Sequence, residues 1–400
     1  MSRHIVAVTT SRADYGHLYW PLRYLAQQPD ISVTLAVTAA HLSPEFGHTA
    51  DQIAAIDGVT IVEVESLLSS DTDVGMAKTI AVTALGLTEL LAQLRPDLLL
   101  LIADRYENLA PASVALTLRI PIAHIEGGDV SEGAIDDAVR NALTKLSHIH
   151  FTPTEAARQR VLAMGEEDWR VHRVGAPSLD LLTHQSLLDN AQLDAALGIA
   201  VAAPLVVALH PLTLARDTLV ECEAVFAALA RIDGQIVFCF PNADAGSRRL
   251  REQAQSFCAR RENAALFINL EPRVYWSLLR VARALVGNSS SGIMETPSIG
   301  LPCVNIGERQ RGRMRAGNII DVAAEADAIV AAMDRAISPG FAKSVQGISN
   351  PYGDGRAGER IASVLSEVEL DARLLAKRAL EVEPLPGRPG EWFFVQRPQR

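Results

Sequence analysis

Short runs of apolar and β-branched residues, none long enough to make a helix, alternate along this chain with stretches of helical periodicity, and that alternation leaves few folds open. In the first half the runs are 5–10, 32–38, 60–64, 97–103 and 120–125, with helical stretches such as 77–94 between them. A strand with one wet face alternates polar and apolar residues, whereas a strand apolar throughout is buried on both faces. Strands of the second kind alternating with helices predict a parallel sheet covered on both sides. The pattern recurs at 205–209, 235–240, 264–268, 284–286 and 302–306, after a helical and polar connector at 177–195. The chain therefore reads as two α/β units, 1–176 and 177–354, and a segment 355–400. In that last segment a helix-like run (Ile361, Val364, Leu365, Val368) gives way, from Glu381, to a tail whose Pro, Gly and Arg content predicts a loosely ordered end.

Ligands of open parallel sheets bind outside the carboxyl ends of the strands, so the polar residues standing there are the candidates. The first strand ends at Arg12, within Ser11-Arg12-Ala13-Asp14-Tyr15-Gly16, and the run 97–103 ends in Asp104-Arg105-Tyr106-Glu107. The run 120–125 delivers Glu126, after which Gly127-Gly128 lets the backbone turn sharply. In the second half the corresponding positions hold His210-Pro211, Pro241-Asn242-Ala243-Asp244 and Gly287-Asn288-Ser289-Ser290-Ser291-Gly292. One such rim is an ordinary turn or cap; six together predict a site. After Glu126, the residues Ile135, Val139, Ala142, Leu143 and Leu146 fall on one helical face, with Asp136 and Asp137 in the first turn. Two readings of these acids stand, since a helix dipole favours aspartates at its start whether or not they serve a site. The stretch 287–292 leads into an apparent helix with Ile293, Met294 and Glu295, and its amides and hydroxyls suit a pyrophosphate at a helix N-terminus. Arg12, Arg105 and Arg309 are candidates for the complementary charge, arginine being a bidentate donor to phosphate.

Composition narrows the partners. A chain of 400 residues, 48% hydrophobic and with a net charge of -10, has a large core and is a poor match for nucleic acid or an acidic membrane. A local cluster of Arg309, Arg311, Arg313 and Arg315 points instead to a small anion. The apolar start is too short for a signal peptide and no run approaches the roughly 18 apolar residues of a membrane helix, so a cytoplasmic location is expected. Cys222, Cys239, Cys258 and Cys303 lack CxxC or CxxH spacing, which predicts free thiols and no zinc site. The first turn lacks GxGxxG, so NAD or FAD is not supported. His148 and His150 lie on a period-two strand without a third ligand at metal spacing and read as structural.

Taken in order, Ser11–Gly16, Asp104-Arg105-Tyr106-Glu107, His124-Ile125-Glu126-Gly127-Gly128 with Ile135-Asp136-Asp137, His210-Pro211, the stretch 241–247, Gly287-Asn288-Ser289-Ser290 with Glu295, Arg309-Gln310 and Asn350-Pro351-Tyr352-Gly353-Asp354-Gly355 make the chain resemble the hydrolysing UDP-N-acetylglucosamine 2-epimerases. The likeness runs from residue 5 to about 360. It implies a GT-B fold, two Rossmann-like doubly wound parallel-sheet domains with a nucleotide sugar in the cleft between them, no metal or redox cofactor, and a homodimer or homotetramer. Carried over position by position, it implies that Asp104, Glu126 and Asp136 are catalytic carboxylates and His210 a cleft histidine. It assigns Arg12, Arg105, Asn242, Ser289, Ser290, Glu295 and Arg309 to the nucleotide and diphosphate. The Gly127-Gly128-Asp129 turn and its compact spacing to Ile135-Asp136-Asp137 favour the hydrolysing type over the non-hydrolysing one. Tyr19-Trp20, Met294-Glu295-Thr296-Pro297 and the tail beyond Glu381 depart from the family pattern.

The expected reaction takes UDP-N-acetylglucosamine, or a related UDP-2-acetamido sugar, and water to the free 2-epimer and UDP, by elimination and then hydration, for nonulosonic acid biosynthesis. A GDP-linked or UDP-2,4-diacetamido-6-deoxy donor is the alternative within the class. A GT-B glycosyltransferase, which needs an acceptor, and a silent nucleotide-sugar sensor are the alternatives outside it.

Overall fold

The computed structural model describes residues 2–53, 56–68, 72–215, 217–240 and 246–379, with Gln52 described in its backbone only. The first half builds a seven-stranded sheet from β1 (Arg3–Thr9), β2 (Ile31–Thr38), β3 (Val59–Val64), β4 (Leu98–Ile102), β5 (Ile122–Ile125), β6 (Ile149–Thr152) and β7 (Val171–Arg173), in the order β3-β2-β1-β4-β5-β6-β7. The second builds a six-stranded sheet from β8 (Leu205–Ala208), β9 (Ile236–Phe240), β10 (Ala264–Ile268), β11 (Ala284–Gly287), β12 (Cys303–Ile306) and β13 (Ile319–Val322), in the order β10-β9-β8-β11-β12-β13. All strand pairs in both sheets are parallel. Each sheet is doubly wound, reversing direction between β1 and β4 and between β8 and β11.

The apolar runs are explained by what covers them. Along β1, Ile5 and Ala7 pack with Leu18 and Leu22 of α1 (Arg12–Ala26), and Val6 and Val8 pack with Leu87, Leu91 and Leu143 on the opposite face. Those last residues belong to α2 (Asp73–Leu94) and, beyond α3 (Leu109–Leu118), to α4 (Ile135–Leu146). With side chains alternating every residue and helices on both faces, no position of β1 between Ile5 and Val8 has room for water.

The helix Ala357–Glu367 follows the second unit in sequence but packs on the first, with Ile361 and Leu365 in the layer of α1. The two crossings between the units run side by side, Ala176 N donating to Tyr352 O at 2.7 Å. Asp180 then accepts from Ala357 N at 2.9 Å and Gly358 N at 2.6 Å, satisfying amides at the start of that helix.

Two strands went unread from sequence. β7 and β13 are edge strands of three and four residues carrying His172 and Arg173, or Asp321, so neither presents an apolar run. The expectation about apolar length needs correction: α2 contains an 18-residue window of mean hydropathy 1.4, enough by length and composition to cross a bilayer. Its Thr79 and Thr83 are buried and donate to carbonyls one turn back, Gly75 O and Thr79 O, so their hydroxyls are satisfied within the helix. The four cysteines are free thiols. Asn242, the rest of 241–245 and the tail from Leu380 lie outside the described residues.

Gly287 ends β11 at φ 143°, and a Cβ there would stand 2.0 Å from Ala208 O. Only glycine lets the β11 turn pass this close to β8. Gly287→Ala is expected to cost about 2–3 kcal/mol by overpacking and strain, read as a lower urea midpoint at unchanged slope.

Candidate active site

Reversal of strand order opens a crevice at the carboxyl edge of each sheet, and the two crevices face one another. Arg12 follows β1 and Asp104 follows β4, on either side of the first reversal; His210 follows β8 and Asn288 follows β11, on either side of the second. Asn288 ties its pair of strands together, Oδ1 accepting from His210 N at 2.7 Å and Nδ2 donating to His210 O at 2.9 Å.

Two of the three candidate carboxylates sit where the backbone is left-handed. Ala103, just before Asp104, has φ 57°, and Glu126 itself has φ 67°. Such conformations cost about 1–3 kcal/mol in residues other than glycine and persist where the surroundings enforce them. The turn after Glu126 is made by Glu126 and Gly128 (φ 75°), and not by both glycines. A Cβ on Gly128 would meet Ala157 O at 2.2 Å.

Each carboxylate has its own cation. Asp104 is bonded by Arg140, a fully buried α4 residue that also donates to Asp129 O and Ser131 Oγ, both at 3.1 Å. Glu126 Oε1 lies 3.0 Å from His17 Nδ1, and Asp136 Oδ2 accepts from Arg309 Nη2 at 3.0 Å across the cleft. Burial would raise the Asp104 carboxyl, but Arg140, Arg313, Arg309 and Arg105 together hold it below the usual range. For Glu126 burial is likewise outweighed, by His17 and then Arg313, and the group stays ionised. Burial works against the His17 imidazolium as well, yet Glu126, Glu295 and Asp14 lift it to about 9. Asp137 plays another part, since its Oδ1 accepts from Ser131 N at 2.8 Å and fixes the loop before α4. The helix-start reading thus fits Asp137, whereas Asp136 spans the two domains.

The opposite end of the cleft is built for an anion. Among the described residues, Nε and Nη1 of Arg12 are buried without a hydrogen-bond partner, in a cavity lined by His17, His210, Tyr275, Ser289, Ser290 and Glu295. Burial brings the Arg12 guanidinium down to about 10, still charged at neutral pH, and its two buried, unpaired N–H groups are costly until an anion supplies acceptors. Burial pushes the Glu295 carboxyl up, and Glu126 adds to the push. Ser291 Oγ donates to Glu295 Oε2 at 2.5 Å and lies 2.8 Å from Tyr275 Oη. The helix after this turn, Ser290–Met294, has only five residues, so the amides and hydroxyls of the turn matter here more than a helix dipole.

The structure gathers Asp104, Glu126, Asp136, Arg105, Arg309, His210 and Ser290 at the carboxylate end, and Arg12, Ser289 and Glu295 at the other, with His210 and Ser290 shared. Arg105 is held by the buried Glu107 at 3.0 Å, and Arg309 by Asp136 and Asn288 O, so both stand beside the acids. The expected basic cluster is neutralised residue by residue: Arg311 pairs with Glu132 and Glu308, Arg313 with Asp129, Arg315 with Asp321. Sequence reading passed over His17 and Arg140, and it placed Arg313 only in the basic cluster, not beside the acids. A signal existed for His17, which lies three residues after Asp14 and four after the rim residue Ala13, hence on the same face of α1. None existed for Arg140, which reads as an ordinary polar position of α4.

Two doubly wound domains facing one another across a cleft, with three carboxylates at one end and a buried arginine at the other, define a GT-B protein. The family model described as UDP-N-acetylglucosamine 2-epimerase matches residues 23–366. The chain belongs to that family. It is 35% identical over 383 residues to the UDP-N,N'-diacetylbacillosamine 2-epimerase (hydrolyzing) of Legionella pneumophila, covering 94% of this chain and 99% of that one. It is also 35% identical over 323 residues to the GDP/UDP-N,N'-diacetylbacillosamine 2-epimerase (hydrolyzing) of Campylobacter jejuni, covering 80% and 84%. In fold it matches the crystal structure of UDP-GlcNAc 2-epimerase from Neisseria meningitidis bound to UDP-GlcNAc, with TM-score 0.76 at 19% identity over 91% of this chain and 100% of that one.

Arg140→Gln would leave Asp104 buried without its nearest countercharge, at an expected cost of about 3–5 kcal/mol at pH 7. Because the folded Asp104 pKa is depressed, the stability it contributes is present above the ordinary carboxylate pKa and lost as pH falls through the folded value. The gap between wild type and variant in denaturant unfolding should therefore be full at pH 7 and shrink in acid.

Proposed function

We propose that this protein is a hydrolysing nucleotide-sugar 2-epimerase that converts a UDP-linked 2-acetamido sugar and water to the free 2-epimer and UDP. The observation that carries the reading is the convergence of Asp104, Glu126 and Asp136, from the two strand–helix connections after β4 and β5 of one domain, on a cleft whose other wall holds His210 and the Ser289-Ser290 turn.

The C2 proton is weakly acidic and leaves only as the anomeric C–O bond breaks and positive charge gathers at C1. A carboxylate takes that proton, UDP departs with the bonding electrons, and a 2-acetamidoglucal remains. Water then adds its hydroxyl at C1 and a proton arrives at C2 on the opposite face, giving the epimer. Protons move at two atoms, which accounts for several carboxylates kept in different surroundings. Arg12 and Ser289 are assigned to the diphosphate, with Ser290 and His210 between it and the reacting carbons. Arg309 orients Asp136 from the facing domain, and Arg105 belongs with the acids.

Several donors suit this chemistry. UDP-N-acetylglucosamine is the family default, but both 35%-identical relatives are named for N,N'-diacetylbacillosamine donors, a 2,4-diacetamido-6-deoxy sugar. We therefore infer that this donor, linked to UDP, is the better substrate. A site that hydrogen-bonds a second acetamido group discriminates strongly against a sugar lacking it. The free state of all four thiols supports a cytoplasmic setting. A homo-oligomer is supported by the outer face of α2, where Val74, Val82 and Leu85 fall within one stripe and are 57%, 37% and 73% exposed.

With chelator present and no added cofactor, the purified protein should release UDP and an epimer carrying deuterium at C2 when run in deuterated water. A product that keeps its original C2 hydrogen would exclude elimination. Asp104→Asn, Glu126→Gln and Asp136→Asn should each lower turnover about a hundred- to ten-thousandfold while UDP binding changes far less. Side by side, UDP-N,N'-diacetylbacillosamine should exceed UDP-N-acetylglucosamine in kcat/KM by at least about tenfold. Leu85→Arg should reduce the mass measured by light scattering to that of a smaller oligomer or monomer.

A further inference from the structure

Asp104 and Asp136 are paired with arginines, whose charge is permanent, but Glu126 is paired with a histidine. His17 sits in the second turn of α1, its side chain 23% exposed, and it lines both ends of the cleft. It stands between a carboxylate of each domain, Glu126 on the first and Glu295 on the second. We propose that His17 is a positioning residue for the epimerase reaction: its imidazolium clamps Glu126 Oε1 from the neighbouring helix and makes the readiness of Glu126 as a base depend on a second titratable group. This rests on the epimerase reading of the cleft and adds to it a division of labour among the acids.

The geometry gives the clamp its force. Glu126 is held in a left-handed conformation at the strand end, and its N–H is spent on Phe151 O at 2.8 Å. Its carboxylate is buried, so the bond from His17 sets its direction as well as its charge. The groups facing the imidazole are Glu126 from the loop after β5, Glu295 from beyond the helix Ser290–Met294, and Asp14 one turn earlier on α1. Arg12 lines the same cleft, and Arg313, which lines its carboxylate end, adds positive charge near Glu126. The balance is acidic, so burial is overcome and the imidazolium persists to about pH 9. Above that pH the clamp loses its proton. Activity should therefore carry an alkaline limb that belongs to the His17–Glu126 pair.

Turnover of the UDP-sugar by wild type, His17→Gln and His17→Lys, followed from pH 6 to about 10.5 with UDP affinity measured in parallel, tests this. His17→Gln keeps a donor but removes the charge. It should lower kcat about ten- to a hundredfold with KM and UDP affinity within about twofold. The acid limb of its kcat/KM profile should move to higher pH, because Glu126 has lost a countercharge, and the alkaline limb near pH 9 should vanish. His17→Lys, charged to higher pH, should recover at least about a tenth of wild-type kcat and carry the alkaline limb upward. UDP binding reports folding of both variants; where one does not bind UDP, the other and the wild-type limb decide. The proposal is overturned if His17→Gln keeps the wild-type kcat and pH profile, if its loss lies wholly in KM and UDP affinity, or if wild type shows no limb near pH 9. Absence of wild-type turnover on any UDP-2-acetamido sugar would instead overturn the epimerase reading itself.

Discussion

Carboxylates crowded into a dry cleft repel one another and are driven by burial to take up protons, which would leave no base for the chemistry. This molecule seats a cation against each of Asp104, Glu126 and Asp136, and for Asp104 and Glu126 the neighbouring charge outweighs burial and holds the carboxyl below its usual range. The arrangement adds little to stability, because desolvating such pairs costs about as much as their attraction returns. Its yield is charge at fixed places. The three cations come from three different parts of the chain, α1, α4 and the second domain, so no local unit of structure can assemble the site alone.

The parallel sheets are what make that assembly possible. A doubly wound sheet sends all its strand–helix connections to one edge and leaves a crevice where the winding reverses. Two such sheets, joined by paired crossings at Ala176 and Tyr352 and laced by Asp136–Arg309 and Asp129–Arg313, place the two crevices face to face. The lacing falls on the acids themselves, so domain contact and carboxylate orientation are one interaction. Gly133 shows how close the approach is, since a Cβ there would meet Glu308 O at 2.5 Å.

At the other end the logic is inverted. Arg12 is buried with two guanidinium nitrogens lacking hydrogen-bond partners among the described residues, beside hydroxyls and the turn at Ser289 and Ser290. Where the acids are bonded to cations of the protein, this arginine has Glu271 and Glu295 in its field but two N–H groups without an acceptor. The cleft thus holds compensated acids at one end and, at the other, an arginine whose buried N–H donors are still open.

Much of this was legible in the sequence, and the boundary of legibility has a physical cause. Runs apolar throughout can only be strands covered twice, so ten of the strands, their parallel sense and the doubling into two units followed from local pattern; β7 and β13, short edges with polar residues, left no such trace. The rim residues were readable because chain direction fixes which end of a parallel strand faces ligand: Arg12, Asp104, Glu126 and His210 were found by position alone. Who partners whom was not readable. That His17 meets Glu126 across 109 residues, that Asp136 and not Asp137 reaches Arg309, and that Arg309 to Arg315 is a row of neutralised charges and not a basic patch are facts of packing between distant segments. Sequence periodicity reports which face of an element is buried; only the tertiary structure decides which charge that burial brings within 3 Å of another.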